Sequence, residues 1–162
     1  MESSWIEPVE RIHKDFKSSW KRLCIAESCT GGLISHLITN LPGASLFFDS
    51  SVVSYSSESK IRLLGVKRSL IRKHGAVSEE VAQAMAVSVR RRRGTDFALA
   101  ITGNLGPEPM EGKKAGLVYM AVDFEKETVS RGMVFEGGRE DIKLQAALAS
   151  LRFLAEVTET WT

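Results

Sequence analysis

An α/β fold, with helices on both faces of a mixed β-sheet, is the architecture that this sequence predicts. Segments with apolar residues every three or four positions, typical of helices, alternate with short continuous apolar runs, typical of buried strands. Such strands need cover on both sides, which predicts a three-layer α/β/α sandwich. Two runs within residues 115–136 are joined only by "EKE", which suits a hairpin and therefore makes the sheet mixed.

In the first half of the chain, apolar spacing identifies the helices, and prolines, glycines and serines mark their ends. The predicted elements are a helix over about residues 4–19, a strand in "RLCIAE", a helix over 33–41 stopped by Pro42-Gly43, a strand in "SSVVSYS", and a short helix capped by Ser57 and stopped by Gly65.

In the second half, Ser78 precedes Glu79 and Glu80, which suit the positive N-terminal end of a helix dipole, and Gly94 closes that helix. The remaining predicted elements are a short helix in "SLIRKHG" with Ser69 before it, strands in "DFALAITG", "AGLVYMAVDF" and "TVSRGMVFEG", and a closing helix in "REDIKLQAALASLRFLAEV".

The length of 162 residues favours a single domain over residues 1–162. With 43% hydrophobic and 26% charged residues, the composition is that of an ordinary globular protein. The apolar runs are too short to cross a bilayer, and the N-terminus lacks the basic start and apolar core of a signal peptide. We therefore expect a cytoplasmic protein without a membrane partner.

The two cysteines and three histidines do not show the spacing of a metal site. Cys24 and Cys29 are five residues apart in a strand-to-turn segment, so we expect reduced thiols. Accordingly, we assign the protein no metal and no cofactor.

A run of four arginines, Arg90–Arg93, is the most obvious concentration of charge in a chain of net charge +2. The run falls in the last turn of a predicted helix, where cations complement the negative end of the dipole. No aromatic residue is interleaved with it to stack on bases. Nucleic acid is therefore not expected as a partner.

The stretch "ESCTGG", residues 27–32, lies where a buried strand ends and a helix begins. Unpaired backbone N–H groups at such a junction favour anions, and glycines allow a ligand to approach closely. Two interpretations remain open: the hydroxyls cap the helix and the glycines ease a tight turn, or the segment binds a ligand. Its candidate contacts are Ser28, Cys29, Thr30, Gly31 and Gly32.

A nucleophilic Ser28 needs a base, because a serine hydroxyl is a weak nucleophile at neutral pH. No histidine is placed to serve as that base. Lys60 is an alternative if its pKa is lowered, and it begins a short helix five residues after Tyr55. Two other interpretations remain open: Lys60 is a solvated lysine on the surface of a helix, and Tyr55 is a half-buried aromatic residue of a strand.

A second glycine-bearing loop, "ITGNLGPEPMEGKKAG", follows another apolar strand. It is either a surface loop or one wall of a pocket, since two polar loops at one edge of a sheet are the usual way in which α/β proteins build a small-molecule site. Its candidate ligand contacts are Thr102, Gly103, Asn104 and Gly106.

Four motifs, "AESCTGG", "SYSSESK", "GAVSEEVAQAMA" and "ITGNLGP", occur in an order and spacing that resemble the C-terminal domain of the competence/damage-inducible protein CinA, the nicotinamide mononucleotide deamidase family. The resemblance covers about residues 7–156. It implies metal-free hydrolysis of the carboxamide of a pyridine nucleotide, releasing ammonia, and a homo-oligomeric protein.

The resemblance also implies a role for each candidate residue. The family's nucleophile falls on Ser28, its general-base lysine on Lys60, and its tyrosine on Tyr55, which orients the lysine or relays a proton. Backbone N–H groups around residues 30–32 are expected to hold the oxyanion that forms when Ser28 attacks. The phosphate of the substrate is expected to bind the second loop or a nearby cation.

Three positions depart from the family pattern. Ser57 stands where an asparagine is usual, "ITGNLGPEPMEGKK" replaces a loop beginning "ITGIAGP", and the arginine-bearing stretch before the last helix reads "EGGREDIK". Because the serine, tyrosine and lysine all remain, we favour retained chemistry. The alternatives are a nucleotide-binding or regulatory module that turns nothing over, or an amidase acting on a related substrate.

Overall fold

The computed structural model describes residues 4–161. No helix in this range is both long and apolar enough to cross a membrane. The helices are α1 (Ile6–Ser19), α2 (Leu33–Thr39), α3 (Ser57–Leu64), α4 (Arg68–His74), α5 (Glu79–Arg93) and α6 (Arg139–Trp161), with one 3₁₀ turn at Ala44–Leu46. The strands are β1 (Leu23–Glu27), β2 (Phe48–Val53), β3 (Phe97–Gly103), β4 (Leu117–Phe124) and β5 (Glu127–Val134).

The five strands form a single sheet in the order β2-β1-β3-β4-β5. Strand β1 pairs in parallel with β2 and β3, whereas β3-β4 and β4-β5 are antiparallel, which confirms the predicted mixed sheet. Because β2 and β3 lie on opposite sides of β1, the chain reverses its direction of winding there. This switch opens a crevice beyond the carboxyl ends of the parallel strands, the usual position of a ligand site.

Helices cover both faces of the sheet, as predicted. On one face α1, α2 and α6 bury an aromatic core in which Phe97 stacks on Phe124 with ring centroids 5.3 Å apart. On the other face α5 packs Val81, Met85 and Val89 against small strand residues, and α3 and α4 pack on α5. The sheet therefore separates two hydrophobic cores, one on each face.

Some predicted helix ends are displaced. The N-cap of α3 is Ser56 and not Ser57: the Ser56 hydroxyl accepts from the Ser59 N–H at 3.0 Å, and the Ser59 hydroxyl accepts from the Ser56 N–H at 3.0 Å. The sequence alone does not distinguish Ser56 from Ser57 as the N-cap, because both are serines. The reciprocal pair of hydrogen bonds identifies Ser56. Helix α4 begins at Arg68, so Ser69 lies inside it.

Strand β2 covers Phe48–Val53, so the predicted strand in "SSVVSYS" extends too far and Tyr55 lies in the connection to α3. Helix α6 continues to Trp161, beyond its predicted end at residue 157. The indole of Trp161 donates to Glu125 Oε1 at 2.9 Å and packs edge-on against Phe97. These long-range contacts extend α6 and are not encoded in local spacing.

Three of the four arginines in the run that ends α5 bind other parts of the same chain. Arg90 Nε donates to Asp123 Oδ2 at 2.5 Å, Arg92 to the Leu64 carbonyl at 3.1 Å, and Arg93 to Asp49 Oδ2 at 3.2 Å. The run therefore joins α5 to β4, α3 and the N-terminal part of β2.

Replacing Arg90 with alanine is expected to lower the free energy of unfolding by about 1–3 kcal/mol, since it leaves the buried Asp123 carboxylate without its cation. Arg91→Ala, at an exposed neighbouring position, is the matched control and should change stability by less than about 0.5 kcal/mol. Urea denaturation of both variants tests this, and equal losses would contradict a specific contribution from the Arg90–Asp123 pair.

Candidate active site

A cleft of about 350 Å³ occupies the crevice beyond the carboxyl ends of β1, β2 and β3. This volume lies within the range of roughly 300–1,000 Å³ that is common for small-molecule sites. Among the described residues, seven of the predicted site residues line it: Ser28, Cys29, Tyr55, Lys60, Thr102, Gly103 and Asn104. The lining does not include four others, namely Thr30, Gly31, Gly32 and Gly106.

Ser28 and Lys60 meet inside the protein. Lys60 Nζ lies 2.8 Å from Ser28 Oγ, although the residues are 32 positions apart in the chain. Lys60 is 2% exposed and Ser28 5% exposed. The interpretation of Lys60 as a solvated surface lysine is therefore wrong, and the pair has the contact that proton transfer requires.

Two backbone carbonyls orient the Lys60 amine. Nζ donates to the carbonyl of Ser54 at 2.9 Å and to that of Tyr55 at 3.4 Å. A carbonyl only accepts, so both N–H groups of a neutral amine point at these oxygens and its lone pair faces the Ser28 hydroxyl. In the ammonium form, the third N–H donates to Ser28 Oγ instead.

Burial lowers the pKa of Lys60 from its ordinary value of 10.5 to about 8. Desolvation of the ammonium is the largest cause, and the nearby Cys29 and Glu111 oppose it by raising the pKa. A substantial fraction of the neutral amine is therefore present near physiological pH, as a general base requires.

Cys29 follows Ser28 and also lines the cleft, but it is 4% exposed. Burial raises the pKa of the Cys29 thiol to about 12. Because the thiolate is the nucleophilic form of cysteine, Cys29 contributes an inert wall to the cleft.

Tyr55 points its ring into the cleft and is 59% exposed. Its hydroxyl accepts from the Arg139 guanidinium at 2.7 Å, and the same guanidinium donates to the Gly106 carbonyl at 2.6 Å. Tyr55 thus contacts Lys60 through its backbone and Arg139 through its side chain. The proton-relay role of the Tyr55 hydroxyl stays a prediction.

The N-terminus of α2 is held by Glu27, a fully buried carboxylate. Oε1 accepts from Thr30 Oγ1 at 2.6 Å and from the Gly32 and Ile34 N–H groups, while Oε2 accepts from the N–H and hydroxyl of Ser35. Capping by Ser28 or Thr30 is therefore wrong, because Glu27 satisfies these donors.

This arrangement also occupies two of the N–H groups expected to hold an oxyanion. The Gly31 N–H donates to the Ser28 carbonyl at 3.0 Å, and the Gly32 N–H donates to Glu27. Both glycines have positive φ, 59° and 105°, so they shape the tight turn that presents Ser28. The predicted oxyanion role does not fit these two N–H groups.

The second loop is fastened by the residues that the sequence marked as ligand contacts. Thr102 Oγ1 donates to the Ala76 carbonyl at 2.8 Å, and the Asn104 side chain both donates to the Glu108 carbonyl and accepts from the Gly106 N–H. A Cβ at Gly103 would lie 3.2 Å from Cys29 Sγ and 2.8 Å from the Val118 side chain. These residues line the cleft mainly by shaping its wall.

Within residues 4–161, no cluster of three or more histidine, cysteine, aspartate or glutamate side chains is arranged to hold a metal ion. The charged groups that line the cleft are Lys60, Glu111 and Arg139.

The fold and this site define an open-sheet α/β protein with a buried serine–lysine pair at its topological switch point. Residues 7–158 match the family described as the CinA C-terminal domain. The chain belongs to the CinA C-terminal domain family.

Relatives and solved structures agree with this assignment. A putative competence-damage inducible protein of Moorella thermoacetica is 47% identical over 82% of this chain and 32% of its own length, and a CinA-like protein of Geotalea daltonii is 45% identical over 86% and 34%. The chain thus spans about a third of the length of these relatives.

The crystal structure of a competence damage-inducible protein A from Klebsiella pneumoniae superposes with a TM-score of 0.94 at 32% identity, covering 98% of this chain and 99% of that one. A competence/damage-inducible protein from Agrobacterium tumefaciens gives 0.90 at 32% identity, covering 95% of each chain.

Three charged residues of the site were not identified as candidates from the sequence. Glu27 gave one usable signal, an acidic residue that ends an otherwise apolar strand just before a glycine turn. Arg139 lies in the arginine-bearing stretch "EGGREDIK", which was noted as a departure from the family pattern but not as a cleft residue, and Glu111 gave no signal because it reaches the cleft from a polar loop.

Proposed function

We propose that this protein is an amidohydrolase that converts nicotinamide mononucleotide to nicotinate mononucleotide and ammonia. The observation that carries the proposal is the buried Ser28 Oγ–Lys60 Nζ contact of 2.8 Å in a cleft of substrate size, with a Lys60 pKa of about 8. Family membership supports the same chemistry.

In the proposed reaction, the neutral Lys60 amine takes the Ser28 proton while Ser28 Oγ bonds to the carboxamide carbon. The C–N bond then breaks, and the lysine ammonium returns a proton to the departing nitrogen, which leaves as ammonia. Water next attacks the acyl-enzyme and gives its proton to Lys60. As the ester bond breaks, the Lys60 ammonium returns its proton to Ser28 Oγ, which regenerates both groups, and the acid product loses its proton to solvent and leaves as a carboxylate.

The charges of the cleft support a nucleotide substrate. Arg139 presents a guanidinium that suits a phosphate, and Ser56 and Ser57 place the N-terminal end of α3 at the same wall. A substrate whose phosphate binds at this wall would extend its carboxamide group toward Ser28. In this proposal, Arg139 is the cation that binds the phosphate.

The test is ammonia release from nicotinamide mononucleotide by the purified protein in the presence of a chelator. Release should persist with chelator and be lost in Ser28→Ala. Ser69→Ala, at an exposed serine of α4 outside the cleft lining, is the matched control and should keep wild-type activity. A folded wild-type protein that releases no ammonia would refute the proposed activity.

A second candidate function is nucleotide binding without turnover. The occupied N–H groups of Gly31 and Gly32 favour it, since they reduce the number of donors for an oxyanion. Tight calorimetric binding of nicotinamide mononucleotide, without ammonia release by the same sample, would establish this alternative. Turnover by the wild type would exclude it.

A further inference from the structure

Glu111 is the only acidic residue among the described residues that line the cleft. It is carried by the second loop, in a left-handed backbone conformation with φ of 56°. Its Oε1 accepts from the Ala76 N–H at 3.1 Å, which fixes the carboxylate against the segment before α5. The side chain is 29% exposed and lines the cleft, so the carboxylate is held in place yet accessible to solvent.

The charge of Glu111 lies at the wall that the cleft shares with a neighbouring hollow beside Gly75, and it is only partly compensated. Lys113 Nζ lies 3.8 Å from Oε2, beyond ordinary hydrogen-bond distance, and donates instead to the carbonyls of His74 and Val77. The cation Arg139 is bound to Tyr55 and Gly106. The influence of Glu111 nonetheless extends to Lys60, whose pKa it raises.

A fixed carboxylate in a cleft favours a ligand that carries positive charge. The nicotinamide ring of the proposed substrate is a pyridinium cation, whereas its phosphate is an anion. Arg139 suits the anion, and Glu111 remains as the group that matches the ring. The cleft thus presents both charges of a zwitterionic ligand.

We propose that Glu111 is a specificity-determining residue that recognises the cationic pyridinium ring and discriminates against uncharged rings of the same shape. This inference rests on the proposed function. It also gives a reason for an acidic residue in the same cleft as a base that must lose its proton. Bound substrate brings a positive charge near Lys60, and Glu111 balances that charge without displacing the amine.

The test compares two ligands of equal size: nicotinamide mononucleotide, whose ring is cationic, and benzamide ribonucleotide, its carbon-linked analogue with a neutral ring. Calorimetric affinities are measured in the Ser28→Ala background, which prevents turnover. The variants are Glu111→Gln, whose amide oxygen still accepts from the Ala76 N–H, and the control Glu108→Gln, on the same loop but outside the cleft lining.

In Glu111→Gln, affinity for the cationic ligand should fall by about tenfold and affinity for the neutral ligand by less than about twofold. Glu108→Gln should change neither. Equal weakening of both ligands would show that Glu111 only supports the loop, and unchanged affinities would show that it does not face the ring. Either outcome overturns the assignment.

Ammonia release by the wild-type protein separates this inference from the proposed function. Turnover of nicotinamide mononucleotide together with an unselective Glu111→Gln variant would refute the role of Glu111 alone. A wild-type protein that neither turns over nor binds nicotinamide mononucleotide would refute the proposed function, and the role of Glu111 with it.

Discussion

Replacing Lys60 with methionine is expected to reduce ammonia release by about a thousandfold, the typical contribution of a positioned general base. Methionine keeps much of the side-chain volume in the buried site but has no lone pair on nitrogen for the Ser28 proton. Steady-state assays of wild type and variant test this. Lys67→Met, at an exposed position, is the control and should retain wild-type activity. A Lys60→Met variant with more than a tenth of wild-type activity would refute the general-base role.

The pH dependence of the wild type follows from the same residue. Because burial lowers the Lys60 pKa of the free protein to about 8, the fraction of neutral amine, and with it kcat/KM, should rise as pH increases through about 8 and then level off. Activity that falls over this range would contradict a lysine acting as the base.

The pH dependence of the free energy of unfolding should reveal the lowered pKa of Lys60 without any activity measurement. Lys60 releases its proton near pH 8 in the folded protein, whereas in the unfolded chain it does so near its ordinary pKa of 10.5. The unfolded state therefore binds more protons between these values, so the contribution of Lys60 to the free energy of unfolding rises from pH 8 to 10.5. The stability difference between wild type and Lys60→Met should change accordingly. A difference independent of pH would contradict the lowered pKa.

Glu27→Gln is expected to be the most destabilising single substitution that we propose, by about 3 kcal/mol. A glutamine amide places N–H donors where the Glu27 carboxylate now accepts from Thr30, Ser35 and the N-terminus of α2. Urea denaturation measures the loss. Glu10→Gln, on the exposed side of α1, should change stability by less than about 0.5 kcal/mol. Similar stabilities for the two variants would refute the structural role of Glu27.

Much of the fold was predictable because its signals are local. The continuous apolar runs and the "EKE" connection correctly predicted the buried strands and the antiparallel β4-β5 hairpin. Ser78 and Gly94 correctly marked the ends of α5, because a cap depends only on its neighbours in sequence. The end of α6 was missed because it depends on contacts of Trp161 with distant residues.

The candidate site was predictable in part for the same reason. Residue type and position at strand ends suggested Ser28 and Lys60, and the structure places them in contact. The roles of Thr102 and Asn104 were not predictable, since only the folded loop shows that their polar groups bind neighbouring backbone. Nor do local patterns indicate that Arg139 reaches across to Tyr55.

The two parts of the cleft come from separate stretches of chain. Ser28 and Lys60 lie within the segment from β1 to α3, and Glu111 lies on the loop between β3 and β4. That loop is fastened at its base by Asn104 and Gly116, whose backbones pair at 2.7 Å. Replacements on this loop therefore alter one wall of the cleft and leave the segment that carries the Ser28–Lys60 contact unchanged in sequence. The groups proposed to break the bond and the group proposed to recognise the ring thus lie on separate segments of the chain, which can change independently in sequence.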